Sequence, residues 1–212
     1  MMEPRPAEEL VEAARGVGVT EPRLLDAVRV VRRCDFVPPE FRVFADEDRP
    51  IPLPHHQVTT QPSLSARMIE ALTLTGTEHV LEVGTGYGYQ TALLAKLAGF
   101  VTSIERWPDL AAQARHNLAA AGIDNVRVVV GDGTGGVPDG APYDAVLVSA
   151  AFPTVPPPLA HQLMSGGVLV QPIGPGGADE VTLFQRTAEG LVRVEPFLRA
   201  RFVRLYGRYG YP

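Results

Sequence analysis

Two acids and three glycines define the chemistry open to this chain. Glu82 stands two residues ahead of Gly84, Gly86 and Gly88 follow at alternate positions, and Glu105 closes the next apolar run. Glycines spaced in this way let the backbone turn tightly and approach a ligand closely. A dinucleotide fingerprint puts its third glycine three residues beyond the second, so that a pyrophosphate meets a helix N-terminus. Here the third glycine comes two residues on. A carboxylate beside such a turn repels phosphate and attracts a cation, such as the ammonium group of S-adenosylmethionine. Glu105 is placed to accept both hydroxyls of a ribose.

A second group of hydrogen-bonding residues precedes the turn by one helix. Asp48 to Pro62 is stiffened by prolines and carries His55, His56, Gln57, Thr59 and Thr60. Loops of this kind commonly hold substrate contacts. Downstream, Asp132-Gly133 closes a strand at the edge where ligands of open α/β sheets gather, so Asp132 can bind an adenine amino group. Ser149 to Pro158, again rich in proline, forms the opposite lip of the same cleft. Each has an ordinary structural use as well. A hydroxyl before Gln61-Pro62 suits a helix cap, an Asp after a strand suits another, and Tyr87 and Trp107 either line the cleft or pack in the core.

The elements that must position these groups follow from hydrophobic periodicity. Thr20 and Pro22 open a helix with Leu24, Leu25, Val28 and Val31 on one face, behind a shorter acidic helix from Ala7 to Ala14. Phe36 to Arg49, with three phenylalanines and paired prolines, reads as irregular. Helices are expected at Pro62–Leu72, Tyr89–Ala98, Pro108–Ala121 and Leu159–Met164. Strands are expected at Val80–Val83, in the run ending at Glu105, and at Val126–Val130, Asp144–Ser149 and Val168–Pro172. Alternation of the two predicts a mostly parallel sheet. Val181–Arg186 and Leu191–Glu195, around Ala188-Glu189-Gly190, predict an antiparallel hairpin at its edge.

The 212 residues, 45% apolar, suffice for one domain, divided as 1–62 (helical and loop extension), 63–195 (cofactor core) and 196–212 (tail). A net charge of −5 and dispersed arginines argue against a nucleic-acid partner, Arg201, Arg204 and Arg208 being the one basic cluster. A lone cysteine, Cys34, and five scattered histidines leave no disulfide and no metal site. No apolar run suits a signal peptide or a membrane span, so a cytoplasmic protein is expected, acting as a monomer.

Taken together, the motifs resemble the protein-L-isoaspartate (D-aspartate) O-methyltransferase family. The resemblance rests on Asp48-Arg49-Pro50, His55, Gln57, Gln61-Pro62, Leu81-Glu82-Val83-Gly84-Thr85-Gly86, Gly88-Tyr89-Gln90, Gly131-Asp132-Gly133-Thr134, Pro142-Tyr143-Asp144 and Phe202-Val203. It implies a Rossmann-like, seven-stranded methyltransferase fold, S-adenosylmethionine as donor, and methylation of isoaspartyl residues in damaged proteins. By position, Glu82, Gly84, Thr85 and Gly86 would hold the methionine part, Glu105 with Arg106 the ribose, and Asp132 with Gly133 the adenine. His55, Gln57, Thr59, Ser149 and Arg204 would meet the substrate, and Thr60 would act where the family has a catalytic serine. His56 replaces a usual glycine and Arg204 a usual proline. Rival readings are a carboxylate methyltransferase with a different aspartyl or small-molecule acceptor, and a cofactor-binding protein without turnover. The glycine spacing disfavours a nicotinamide oxidoreductase.

Overall fold

The computed structural model describes residues 6–212, so Glu3 of the acidic N-terminus lies outside the described residues. Helices α1 (Pro6–Gly16) and α2 (Pro22–Val30) form the extension. Glu21, one residue after the expected Thr20, caps α2 by accepting from Arg23 N, while Thr20 donates its backbone N–H to the Glu70 carboxylate. Leu24, Leu25, Ala27 and Val28 are the buried face of α2. The stretch expected to be irregular winds into two 3-10 turns, Arg33–Phe36 and Pro39–Phe44, with Phe36 buried.

A two-stranded ribbon, β1 (Pro52–Leu53) and β2 (Gln57–Val58), leads into α3 (Pro62–Glu70). The core then alternates: β3 (His79–Val83), α4 (Tyr89–Ala95), β4 (Phe100–Glu105), α5 (Pro108–Ala120), β5 (Val126–Val130), β6 (Tyr143–Val148), α6 (Pro157–Gln162) and β7 (Leu163–Ile173). A hairpin, β8 (Asp179–Thr187) and β9 (Gly190–Ala200), completes a seven-stranded sheet in the order β5-β4-β3-β6-β7-β8-β9. The first five strands are mutually parallel and the last two antiparallel. β7 starts earlier and α6 ends earlier than periodicity predicts, because Leu163 already pairs with Tyr143 before the ladder shifts register.

Two features of the sheet place the site. The chain leaves β3 toward β4 on one side and returns to β6 on the other, which opens a crevice at the carboxyl ends of β3 and β6. Val83 is level with both Ile104 and Val148, so the residues that follow each strand emerge together. Strand alternation separates the two cores. Val80 packs with the apolar faces of α1 to α4, whereas Leu81 and Val83 pack on the other face with Val146, Val148 and Leu159.

Candidate active site

The glycine turn follows from β3 directly. Gly84, Gly86 and Gly88 have φ of 102°, 55° and 95°, a region costly to side chains other than glycine. At Gly84 a Cβ would also stand 3.4 Å from that of Ser149. Glu105, at the end of β4, braces the turn by accepting from Gly86 N at 2.9 Å and from Trp107 N at 3.1 Å. Burial raises its pKa, partly offset by those donors. Its side chain still borders the cleft.

Glu82 is placed differently from the sequence expectation. Alternation sets it on the face of β3 shared with Val80, under α4, and it is 0% exposed. Its carboxylate accepts from Gln90 Nε2 at 3.0 Å and from the hydroxyls of Thr91 and Ser103, the last at 2.6 Å. Ser103 Oγ in turn pairs with Thr85 Oγ1. Burial outweighs these bonds and pushes the Glu82 pKa up to about 7. Glu82 thus lies beneath the turn, outside the cleft wall, and reaches the cleft through Gln90 and Thr85. Glycine spacing reports a turn but not the face its neighbouring acid takes.

Asp132 is bonded to its own loop and to the tail. One of its oxygens accepts from Thr134 N at 2.9 Å and Thr134 Oγ1 at 2.7 Å, and the other accepts from Arg208 N of the tail at 2.7 Å. Burial acts to raise its pKa, but these bonds prevail and hold it below the usual carboxylate value. Gly133 borders the cleft and Asp132 does not. At Gly133 a Cβ would fall 2.5 Å from Val83 Cγ1, so only glycine lets this loop close on β3. Arg106 also borders the cleft, its guanidinium 5.2 Å from the Trp107 ring centre and 5.6 Å from that of Tyr206.

On the facing wall stand Gln57, Thr59 and Thr60. Thr59 is committed to the loop itself: its N–H donates to Ile51 O at 2.8 Å, and its hydroxyl accepts from Ile51 N and Arg33 Nη2, each at 3.0 Å. Thr60 makes no side-chain hydrogen bond among the described residues and borders the cleft with its hydroxyl free. Gln57 Nε2 donates to His55 O at 3.0 Å. His55 lies outside the wall, stacked on Trp107 with ring centres 3.9 Å apart and Nε2 2.9 Å from both Asp109 oxygens. Trp107 is therefore occupied by that stack, while Tyr87 does border the cleft. Ser149, after β6, accepts from Gln90 Nε2 at 2.7 Å, and Arg204 of the tail completes the rim.

Several contributors have no role assigned by the sequence pattern, although Asp48, Tyr89 and Gln90 stand within its motifs. Buried Arg33 donates to Ala45 O, Glu47 O, Arg49 O and Thr59 Oγ1 at 2.7–3.2 Å, and burial lowers its pKa to about 10. Asp48 accepts from Ser63 N, Ser63 Oγ and Gln61 Nε2 at 2.7–2.8 Å, which ties the start of α3 to the loop and gives Asp48 and Gln61-Pro62 a common purpose. Ser65, Tyr89 and Gln90 line the cleft, and the atoms Ser65 Oγ, Tyr89 OH and Gln90 Oε1 are buried without a partner among the described residues. Such atoms call for a partner, supplied by water or by a bound polar group. Two hydroxyl donors and an amide acceptor match the carboxylate and ammonium of an amino acid, and Glu105 matches a diol. The enclosed part of the cleft has a cavity volume of about 110 Å³.

A sequence model described as protein-L-isoaspartate(D-aspartate) O-methyltransferase matches residues 5–210. The chain belongs to that family. Among protein-L-isoaspartate O-methyltransferases, that of Methanoculleus marisnigri is 48% identical over 211 residues, covering 98% of this chain and 94% of the relative. That of Anaeromyxobacter dehalogenans is 47% identical, covering 94% and 96% respectively. A solved protein-L-isoaspartate O-methyltransferase superposes with a TM-score of 0.84 at 28% identity, over 96% of this chain and 67% of its own. A second solved structure, from Plasmodium falciparum and in complex with S-adenosyl-L-homocysteine, gives 0.78 at 21% identity over 96% and 99%, a likeness of fold.

Proposed function

We propose that the chain transfers the methyl group of S-adenosylmethionine to the free carboxylate of L-isoaspartyl and D-aspartyl residues in damaged proteins, starting their repair through a succinimide. The observation that supports it most is a single cleft lined by the glycine turn, Glu105, Ser65, Tyr89 and Gln90 on one side and by Thr60, with its hydroxyl free, on the other. The bound donor supplies an electrophilic methyl on a sulfonium. Gly84 to Gly86, Thr85 and Gly133 would shape its seat, Glu105 would hold the ribose, and Arg106 would border it. The acceptor needs no strong base, because a carboxyl with a reference pKa of about 4 is already ionised near neutrality. Thr60 donates a hydrogen bond to one carboxylate oxygen and leaves the other aimed at the methyl carbon.

Orientation and exclusion of water then supply the catalysis, an effect worth up to ~7 kcal/mol or more in well-aligned intramolecular reactions. Thr59 and Asp48 act through the loop, and Gln57, Ser149 and Arg204 border the acceptor side. Glu82 and Asp132 contribute by holding the turn and the tail. Among the described residues no helix is long and apolar enough to cross a membrane. The enzyme is taken to be cytoplasmic and monomeric, the latter checked by light scattering. Incubation with donor and an L-isoaspartyl peptide should yield S-adenosylhomocysteine in proportion to enzyme and time. Donor binding with no S-adenosylhomocysteine would leave a binding protein in place of an enzyme.

A further inference from the structure

The tail carries three arginines whose charges have no counterpart among the described residues. Some arginines sit in ion pairs, as Arg29 does with Glu8 at 2.7 Å and Arg193 with Glu180 at 3.0 Å, while Arg42, Arg106, Arg115 and Arg127 share with the tail the lack of an ion pair among the described residues. Arg201, Arg204 and Arg208 are exposed and join no ion pair there. Two of them are nevertheless held in place. Arg204 Nε donates to Pro175 O at 3.0 Å and Arg201 Nε to Gly177 O at 3.3 Å, so one loop anchors both guanidinium groups by the nitrogen nearest the backbone. That loop is fixed from below. Asp179, 0% exposed, accepts from Gly176 N at 2.8 Å, Gly177 N at 3.0 Å and Phe202 N at 3.2 Å.

The outer nitrogens of both side chains form no ion pair with the acids among the described residues. The nearby carboxylates are engaged otherwise. Asp179 is turned inward, Asp132 accepts from Thr134 and Arg208 N, and Glu105 accepts from Gly86 and Trp107. Arg204 also lies over the Tyr211 ring at 5.1 Å, which limits its swing, and it shares the cleft wall with Thr60. A chain threaded past Thr60 therefore passes a fixed positive rim on a protein whose net charge is −5. Such a rim attracts anionic segments against the general repulsion of the molecule.

We infer that Arg201 and Arg204 give this enzyme a preference for isoaspartyl sites flanked by acidic residues. The inference rests on the function proposed above and names the substrate class within it. An isoaspartyl carboxylate alone does not account for two anchored guanidinium groups, since Thr60 already addresses it.

The test uses three peptides with one isoaspartyl core flanked on both sides by glutamates, glutamines or lysines. All three present the same acceptor carboxylate. At low salt the glutamate peptide should show a kcat/KM about fivefold above the glutamine peptide, as two exposed ion pairs of ordinary strength would give, with the lysine peptide lowest. The spread should shrink toward unity at about 0.5 M salt, where screening acts over a few ångströms. The double variant Arg201→Glu, Arg204→Glu should reverse the order within one protein preparation, which removes folding yield from the comparison. Equal kcat/KM for the three peptides, a lysine preference in the unaltered enzyme, or an order untouched by the double variant would overturn the inference. Failure to methylate the glutamine peptide would overturn the underlying function as well, so the two failures are separable.

Discussion

Replacing Glu82 with glutamine should make the protein's stability less sensitive to pH. The buried carboxyl titrates near 7 in the folded chain and near 4.5 when unfolded. The folded state therefore binds more protons between these values, and stability falls as pH rises through that window. The gap between the two values corresponds to about 3 kcal/mol, of which roughly 2–3 kcal/mol is expressed between pH 5 and pH 8. Glutamine imitates the protonated acid. Its carbonyl can accept from Gln90 Nε2, and its amide can donate to the Thr91 and Ser103 hydroxyls, which rotate to accept. Urea unfolding of both proteins at pH 5 and pH 8 should show the variant nearly matched at pH 5 and more stable by roughly 2–3 kcal/mol at pH 8. Pairing the proteins cancels titrations independent of Glu82, such as that of His79. Parallel pH dependences in the two would refute the assignment of a proton-retaining carboxyl beneath the turn.

Thr60→Val should lower kcat/KM for an isoaspartyl peptide by roughly 10–100-fold, the loss of one hydrogen bond to a charged group, with donor affinity unchanged by calorimetry. Thr60→Ser should stay close to the parent, and equal turnover in the valine variant would remove Thr60 from the mechanism. His55 and His56 both have positive φ, 61° and 57°, where a side chain costs about 1–2 kcal/mol. His56→Gly should accordingly gain about 1 kcal/mol and raise Tm by roughly 2–4 °C in a thermal melt. Arg33→Met strips donors from the carbonyls of Ala45, Glu47 and Arg49 and should cost about 3 kcal/mol or more in urea unfolding.

The sheet and its order of elements were legible because periodicity and glycine placement are local signals. Val80 to Val83, the three glycines and the run ending at Glu105 announce a strand, a turn and a neighbouring strand without reference to the rest of the chain. The hairpin at Ala188-Glu189-Gly190 was legible for the same reason. Side-chain direction was less so. Glu82 and Asp132 stand at family positions, yet one faces α4 and the other the tail, a choice made by packing across β3 and by Arg208 N from the far end of the chain. Arg33 was invisible because its acceptors, the carbonyls of Ala45, Glu47 and Arg49, have no identity in sequence. The unpaired atoms of Ser65, Tyr89 and Gln90 became meaningful only once separate elements met at one cleft.

The proposed role of the cleft is to present a donor methyl to an isoaspartyl carboxylate. Its most direct measurement offers two peptides of identical sequence, one with an L-isoaspartyl and one with an ordinary aspartyl linkage, to the enzyme and methyl-labelled S-adenosylmethionine. The isoaspartyl peptide should take up label as a base-labile ester and then pass to succinimide, while its isomer stays unlabelled. Equal labelling of the two, or labelling of neither, would contradict the account.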